Sequence, residues 1–211
     1  MPRVNAVEDP EVVRLLRTAA IGHLVSGDGS AGFEATPIPF LVDDEMTTVR
    51  AHLARANPHW RQLAETAAVL IVPVTDAYVS PSWYPSKTDD PRVVPTANYE
   101  VVHLHGSVRV RDEPDFVRSV VTDLTTFHET KRVAGMPSPP PWSVDDAPAD
   151  FIERQLQAIV GIELTIGRVV AKRKMSQNRS QRDQDGVAEG LRRTPERRHH
   201  DVADAMERGM T

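Results

Sequence analysis

Residues 98–111, NYEVVHLHGSVRVR, place the strongest limit on what this chain can fold into. They alternate, with Tyr99, Val101, His103 and His105 on one face and Val102, Leu104 and Gly106 on the other. A period of two marks a β-strand with two different faces. Such a strand needs neighbours, because its backbone amides and carbonyls must be paired. The runs 20–26 (AIGHLVS), 33–42 (FEATPIPFLV), 48–53 (TVRAHL), 68–74 (AVLIVPV) and 161–170 (GIELTIGRVV) supply them. They are rich in β-branched residues and are separated by turns such as GDGSAG.

Between these runs the chain reads as helix. Asp9-Pro10-Glu11 joins a capping residue to a proline at the first helical position, and Val12, Val13, Leu15 and Leu16 follow on one side. Asn57-Pro58 opens a helix containing His59, Trp60, Leu63 and Ala64, and Glu113-Pro114 opens another that reaches His128. After the proline-rich GMPSPPPWSVDDAP, residues Phe151, Ile152, Leu156, Ile159 and Val160 keep helical spacing, and Gly161 is expected to end that helix. Short strands in tight succession, interrupted by helices, predict an α+β fold: an antiparallel barrel with peripheral helices. A barrel this small fills its interior with side chains, so a large ligand needs a cleft outside it. A subunit interface offers that cleft most easily, which predicts a homodimer. The barrel domain is assigned to 1–180, and 181–211, where periodicity fades, is expected as a polar tail or terminal helix.

The 211 residues include no cysteine, which excludes disulfides, thiolate metal sites and cysteine nucleophiles. No apolar run approaches a membrane span and no export signal is evident, so no membrane partner and a cytoplasmic location are expected. No glycine-rich phosphate loop is present. The net charge is −5, yet residues 168–200 hold ten Lys and Arg against four Asp and Glu. That basic stretch reads either as a solvated segment with anion-binding residues or as a nucleic-acid arm.

Only three Trp and three Tyr occur, and Trp83, Tyr84 and Tyr99 fall within SPSWYPSK (80–87) and VPTANY (94–99). They suit the wall of a planar pocket or hydrogen-bond donors beside it; buried packing is the other reading. His103 and His105 share a strand face, which permits metal ligation, although no third ligand is evident. His23, in step with Ile21 and Val25, reads as a core or interface residue. Ser82 lacks His and Asp partners in sequence and is a poor nucleophile candidate. Glu100 and Asp145-Asp146 are candidate bases without a supporting spacing.

The segments HLARANPHW (52–60), YVSPSWYPSK (78–87), VPTANY (94–99), VVHLHG (101–106), PWSVDDAPADFIERQLQAIVGIEL (141–164) and KMSQNR (174–179) together resemble the PaiB-type family of FMN-binding negative transcriptional regulators. The resemblance covers residues 9–180 and implies the FMN-binding split-barrel fold, as a dimer. The chain departs from that pattern at Ala97 and Arg173, where the family usually has tryptophan, and at Pro37, where it commonly has histidine. Loss of two indoles vacates volume and stacking surface. Piperazate synthases, a branch that looks like PaiB proteins, bind heme b and close an N–N bond in N5-hydroxyornithine. The resemblance implies heme b, with FMN as the alternative, a hydroxylated ornithine as substrate, and DNA as partner only for a regulator. It implies His59 as the axial heme ligand, with His103 or His105 as alternatives, and His52 beside a phosphate or propionate. Arg55, Lys87, Lys174 and Arg179 are the expected anion partners and Trp83 a cofactor contact. Lys87, Tyr84 and Tyr99 are expected as the catalytic set.

Overall fold

The computed structural model describes residues 9–27, 32–63, 66–135 and 139–208. Among them, β1 (Gly22–Ser26), β2 (Glu34–Ile38), β3 (Phe40–Val42), β4 (Thr48–Ala54), β5 (Ala67–Val79), β6 (Thr96–Arg111) and β7 (Ile159–Lys174) form one antiparallel sheet in the order β2-β1-β5-β6-β7-β4-β3. The helices are α1 (Asp9–Thr18), α2 (Pro114–Gly135), α3 (Ala149–Gln157), α4 (Gln181–Arg192) and α5 (Arg197–Arg208). The chain divides into two compact units. One is built from described residues within 1–18, 73–102 and 170–211, the other from those within 19–72 and 103–169, so β5, β6 and β7 each contribute to both.

In the second unit, the run expected as one strand over 33–42 is broken at Pro39, which has no amide proton to give a ladder. Its first half, β2, pairs with β1 from Gly22↔Ile38 to Ser26↔Glu34. Its second half, β3, pairs with β4 from Phe40↔Ala51 to Val42↔Val49. These partners lie near opposite ends of the strand order, so one short segment joins the two ends of the sheet and makes it a barrel. Leu24, Ile38, Leu53, Leu70, Val72, Leu104, Ile162 and Leu164 are each at most 2% exposed and fill it. Each such side chain contributes about 1.5–3 kcal/mol through its removal from water.

The expected helix over 151–160 stops earlier. α3 ends at Gln157, where the Ala158 amide donates to the carbonyls of Gln155 and Leu156. Ile159 and Val160 open β7 opposite Ala54 and Leu53, because a β-branched pair gains more from the ladder than from another helical turn. Gly161 is therefore no helix cap. A Cβ there would sit 2.5 Å from the Arg111 carbonyl oxygen and 2.7 Å from the Phe116 ring, so glycine permits the close approach of backbone and helix. The segment after Asn57 is a short 3₁₀ turn, Pro58–Gln62, capped by the Asn57 side chain, which accepts from the His59 amide. Ala64 and the centre of GDGSAG lie outside the described residues, as does the side-chain cap expected at Asp9-Pro10.

The first unit holds α1, α4 and α5. Residues 181–211, expected as a polar tail or terminal helix, fold over 181–208 as two helices. Their Val187, Leu191, Val202, Ala203, Ala205 and Met206 are buried with Ala77, Val79, Tyr84 and Met175. No helix of the described residues is long and apolar enough to cross a membrane.

Candidate functional site

The residues singled out by sequence fall into two groups, one in each unit. In the first unit, the loop after β5 forms two 3₁₀ turns, Pro81–Trp83 and Pro85–Thr88, because prolines set their starts and Ser80 caps the first by accepting from the Ser82 amide. Tyr84 sits between them, 2% exposed, and the Arg179 guanidinium lies over its ring at 4.6 Å. The Tyr84 hydroxyl has no hydrogen-bond partner among the described residues. The Lys87 amide donates to the Tyr84 carbonyl at 3.1 Å, and the Lys87 side chain is exposed.

The turn after β7 is held beside this loop by polar contacts. Ser176 is buried and has a left-handed φ of 60°, an unfavourable conformation for a residue with a Cβ. Its hydroxyl donates to the Asn98 Oδ1 at 3.1 Å, and Asn98 Nδ2 donates to the Met206 sulfur at 3.3 Å. Lys174 donates to the Thr96 hydroxyl. Asp183 accepts from the Ser86 amide at 3.0 Å and from its hydroxyl at 2.8 Å. Burial would raise the Asp183 carboxyl, but the bonds from Ser86 and Ser180, with Arg179 nearby, hold it below the usual carboxylate range. Lys87 on this loop, Arg179 over Tyr84 and Lys174 on Thr96 are cations without a carboxylate salt bridge among the described residues. Trp83, expected as a cofactor contact, is half-buried. A Cβ at Gly190 would lie 2.4 Å from its ring and one at Gly186 2.3 Å from its carbonyl oxygen, so Trp83 packs on the glycine face of α4.

Arg173, in place of the tryptophan the resemblance leads one to expect, is engaged too. Its Nε donates to Glu100 at 2.6 Å and its Nη2 to Glu11. Glu11 also accepts two bonds from Arg14, which are the main cause of its carboxyl being held down at about 2; burial opposes them and Arg173 assists. The space of a lost indole is filled by an ion network. Ala97 is exposed.

In the second unit, His59 is fully buried, and both ring nitrogens are engaged, Nε2 with Ser26 at 2.9 Å and Nδ1 with Thr36 at 2.8 Å. One nitrogen donates and the other accepts. Burial lowers its pKa, offset in part by Glu34. The expected axial ligation by His59 does not fit this geometry, since no ring nitrogen has a lone pair left for a metal. Arg55 likewise does not fit an anion partner. It grips Asp112 through two nitrogens, at 2.9 and 2.6 Å, and donates to the carbonyls of Gln157 and Ile159. His52 lines a cavity of about 290 Å³ with Pro39, Leu124 and His128. Burial lowers its pKa, and its Nδ1 has no partner among the described residues.

His103 and His105 lie on the half-exposed face of β6, their rings 6.1 Å apart in an edge-on arrangement. Burial, and then Arg168, lower the His105 pKa. Among the described residues no group of three His, Asp or Glu is placed to hold a bare metal ion. Tyr99 is half-buried on β6 within the first unit. Sequence reasoning missed Ser26, Thr36, Asp112 and Asp183, the partners that decide what His59, Arg55 and the Tyr84 loop can do. Asn98 and Ser176 carried a signal, since both lie inside motifs already singled out.

In the first unit, Lys87, Lys174 and Arg179 are cations that no carboxylate engages in a salt bridge among the described residues, and in the second unit His105 stands half-exposed beside His103. Residues 1–168 match the family model described as "Putative FMN-binding domain". The chain is 27% identical over 172 residues to the protease synthase and sporulation protein PAI 2 of Bacillus subtilis, covering 81% of this chain and 77% of that one. Among solved structures it resembles an FAD and heme binding protein from Mycobacterium smegmatis, with a TM-score of 0.56 and 19% identity over 81% of this chain and 73% of that one. It also resembles the flavocytochrome Anf3 from Azotobacter vinelandii, with a TM-score of 0.53 and 16% identity over 82% and 72% of the two chains. At these identities the structural likeness establishes the split-barrel fold.

Proposed function

This chain belongs to the FMN-binding domain family matched by its residues 1–168, and from that premise we propose that it holds heme b and catalyses a dehydrating ring closure of the piperazate-synthase kind. The substrate would be N5-hydroxy-L-ornithine and the product L-piperazate. The observation that carries this reading is His105: its ring stands half-exposed on β6 with that of His103 6.1 Å away, and burial and then Arg168 lower its pKa. When bound, ferric heme would supply a Lewis acid that weakens the N–O bond of the hydroxylamine. In the conversion the α-amine nitrogen bonds to N5, the N5–O bond breaks, and the hydroxyl leaves as water with a proton taken from the amine. No oxidant or reductant is needed.

The chain's own residues bind and orient. In the first unit, Lys87, Lys174 and Arg179 are the cations available to an anionic group, Arg179 being steadied by its stacking on Tyr84. The unpartnered Tyr84 hydroxyl is a proton donor or acceptor that nothing else in the described fold uses, and Tyr99 is the second candidate for that relay. His52, with its free Nδ1, is the remaining histidine for a propionate.

The second reading is a flavin-binding regulator. The same three cations complement the phosphate of FMN, and the similarity to PAI 2 of Bacillus subtilis supports a regulatory role, with DNA as partner. The visible spectrum of protein purified from cells fed a heme precursor separates the two. A Soret band that His105→Ala shifts or abolishes, while His59→Ala leaves its axial signature intact, supports the heme enzyme, and turnover of N5-hydroxyornithine completes the case. A flavin spectrum without heme moves the assignment to the regulator, and loss of the axial signature in His59→Ala returns ligation to that buried ring.

A further inference from the structure

Ser176 stands where glycine would be the easier residue. Its φ of 60° lies in the left-handed region, which is unfavourable for a residue with a Cβ and free of that penalty for glycine. Such a conformation persists only where the surroundings hold it. Here the hydroxyl is the holder: on a residue 3% exposed, it donates to Oδ1 of the fully buried Asn98 at 3.1 Å. Asn98 is fixed in turn by its Nδ2, which donates to the Met206 sulfur at 3.3 Å.

From Ser176 the hydrogen bonds lead to one cation. The Ser176 carbonyl accepts from the Arg179 amide at 2.8 Å and closes a tight turn, and the Arg179 carbonyl accepts from Gln184 Nε2 at 2.9 Å. With both backbone groups held, the Arg179 side chain starts from a fixed point, and its guanidinium stands 4.6 Å over the Tyr84 ring. Asp183, the carboxylate whose charge Arg179 feels, keeps its oxygens on the Ser86 amide and hydroxyl, at 3.0 and 2.8 Å. The guanidinium N–H donors therefore have no acceptor among the described residues. A long side chain loses rotamer freedom on binding a ligand, and holding it in place beforehand removes part of that loss.

We propose that Ser176 is a positioning residue: its bond to Asn98 locks the turn that holds Arg179 over Tyr84, where the guanidinium receives the anionic group of the cofactor, a heme propionate or a flavin phosphate. The inference rests on the reading of Arg179 as an anion partner. Ser176→Gly tests it in the full-length protein, since glycine keeps the left-handed turn and removes the lock. The Arg179 Hε resonance, assigned with Arg179→Met, should be shifted upfield by the Tyr84 ring and should return towards the free-arginine position in Ser176→Gly. Paired titrations read the consequence: heme b against its dimethyl ester, and FMN against riboflavin, the members of each pair differing in their anionic groups. For the pair that binds, preference for the charged member should fall about tenfold in Ser176→Gly and in Arg179→Met, as for loss of one charge-assisted hydrogen bond. If circular dichroism shows Ser176→Gly unfolded, Ser176→Ala carries the test with the same expectations. A purely structural Ser176 would lower the melting temperature and leave the resonance and the preference unchanged. That result, or a preference lost in Arg179→Met and kept in Ser176→Gly, overturns the positioning role alone. A preference kept in Arg179→Met, or binding of neither charged member, overturns the anion role of Arg179 and the proposal with it.

Discussion

Arg173 shows what one side chain can change. Read by resemblance alone, the lost tryptophan at this position vacates room for a larger cofactor. In the fold, the guanidinium instead neutralises Glu100, which is 1% exposed, and reaches Glu11 on α1. Removing one member of a buried ion pair strands the other's charge, which typically costs about 3–5 kcal/mol. Arg173→Met should therefore lower the unfolding free energy by an amount of that order, read from urea titration, and Glu100→Gln in the same chain should recover much of it. An unchanged midpoint in Arg173→Met would mean that water already solvates Glu100. His59 carries the same lesson. Its position beside Trp60 suggested a ligand, but Ser26 and Thr36, which occupy its nitrogens, lie 33 and 23 residues away. Nothing local to NPHW announces them. By contrast, the facing of His103 and His105 was readable, because alternation along one strand is a local property.

At the scale of elements, the strands were legible and the last helices were not. β-branched alternation identifies β4, β6 and β7 to within a few residues, since each has one face in the core. α4 and α5 bury little beyond Val187, Leu191, Val202 and Met206, together with small residues, on an otherwise charged surface. Two apolar pairs at i and i+4 are a thin signal against a background of arginine and aspartate. Glycine is what makes α4 fit. With the Trp83 ring only 2.4 Å from where a Cβ would stand, Gly190→Ala forces the indole or the helix to move. Alanine is the better helix former by about 1 kcal/mol, but overpacking typically costs about 1–3 kcal/mol. The balance favours destabilisation, visible as a lower melting temperature and an altered tryptophan emission. A raised melting temperature would show that the indole yields freely.

Across the whole molecule the buried histidines and Glu11 pull in one direction. Burial lowers the pKa of His52, His59, His105 and His128 below 6.5. The unfolded chain therefore binds more protons as pH falls through that value, and stability is lost. Glu11 adds to this lower down, since its folded value of about 2 lies below the ordinary 4.5, and its contribution is present above 4.5 and fades towards 2. The urea midpoint should hold level above neutrality, decline through the histidine window and fall further below 4.5. A midpoint that does not change from pH 7 to pH 5 would mean that the buried histidines are already open to water.

The barrel's outermost strands are β2 and β3, five and three residues long and separated by Pro39. Edge strands so short, with Pro37 inside one of them, offer almost no backbone for a newcomer to zip onto. A second copy or any other partner must be recognised there through side chains. Specificity can then change one residue at a time, and the barrel is poorly suited to seed fibrils through its rim.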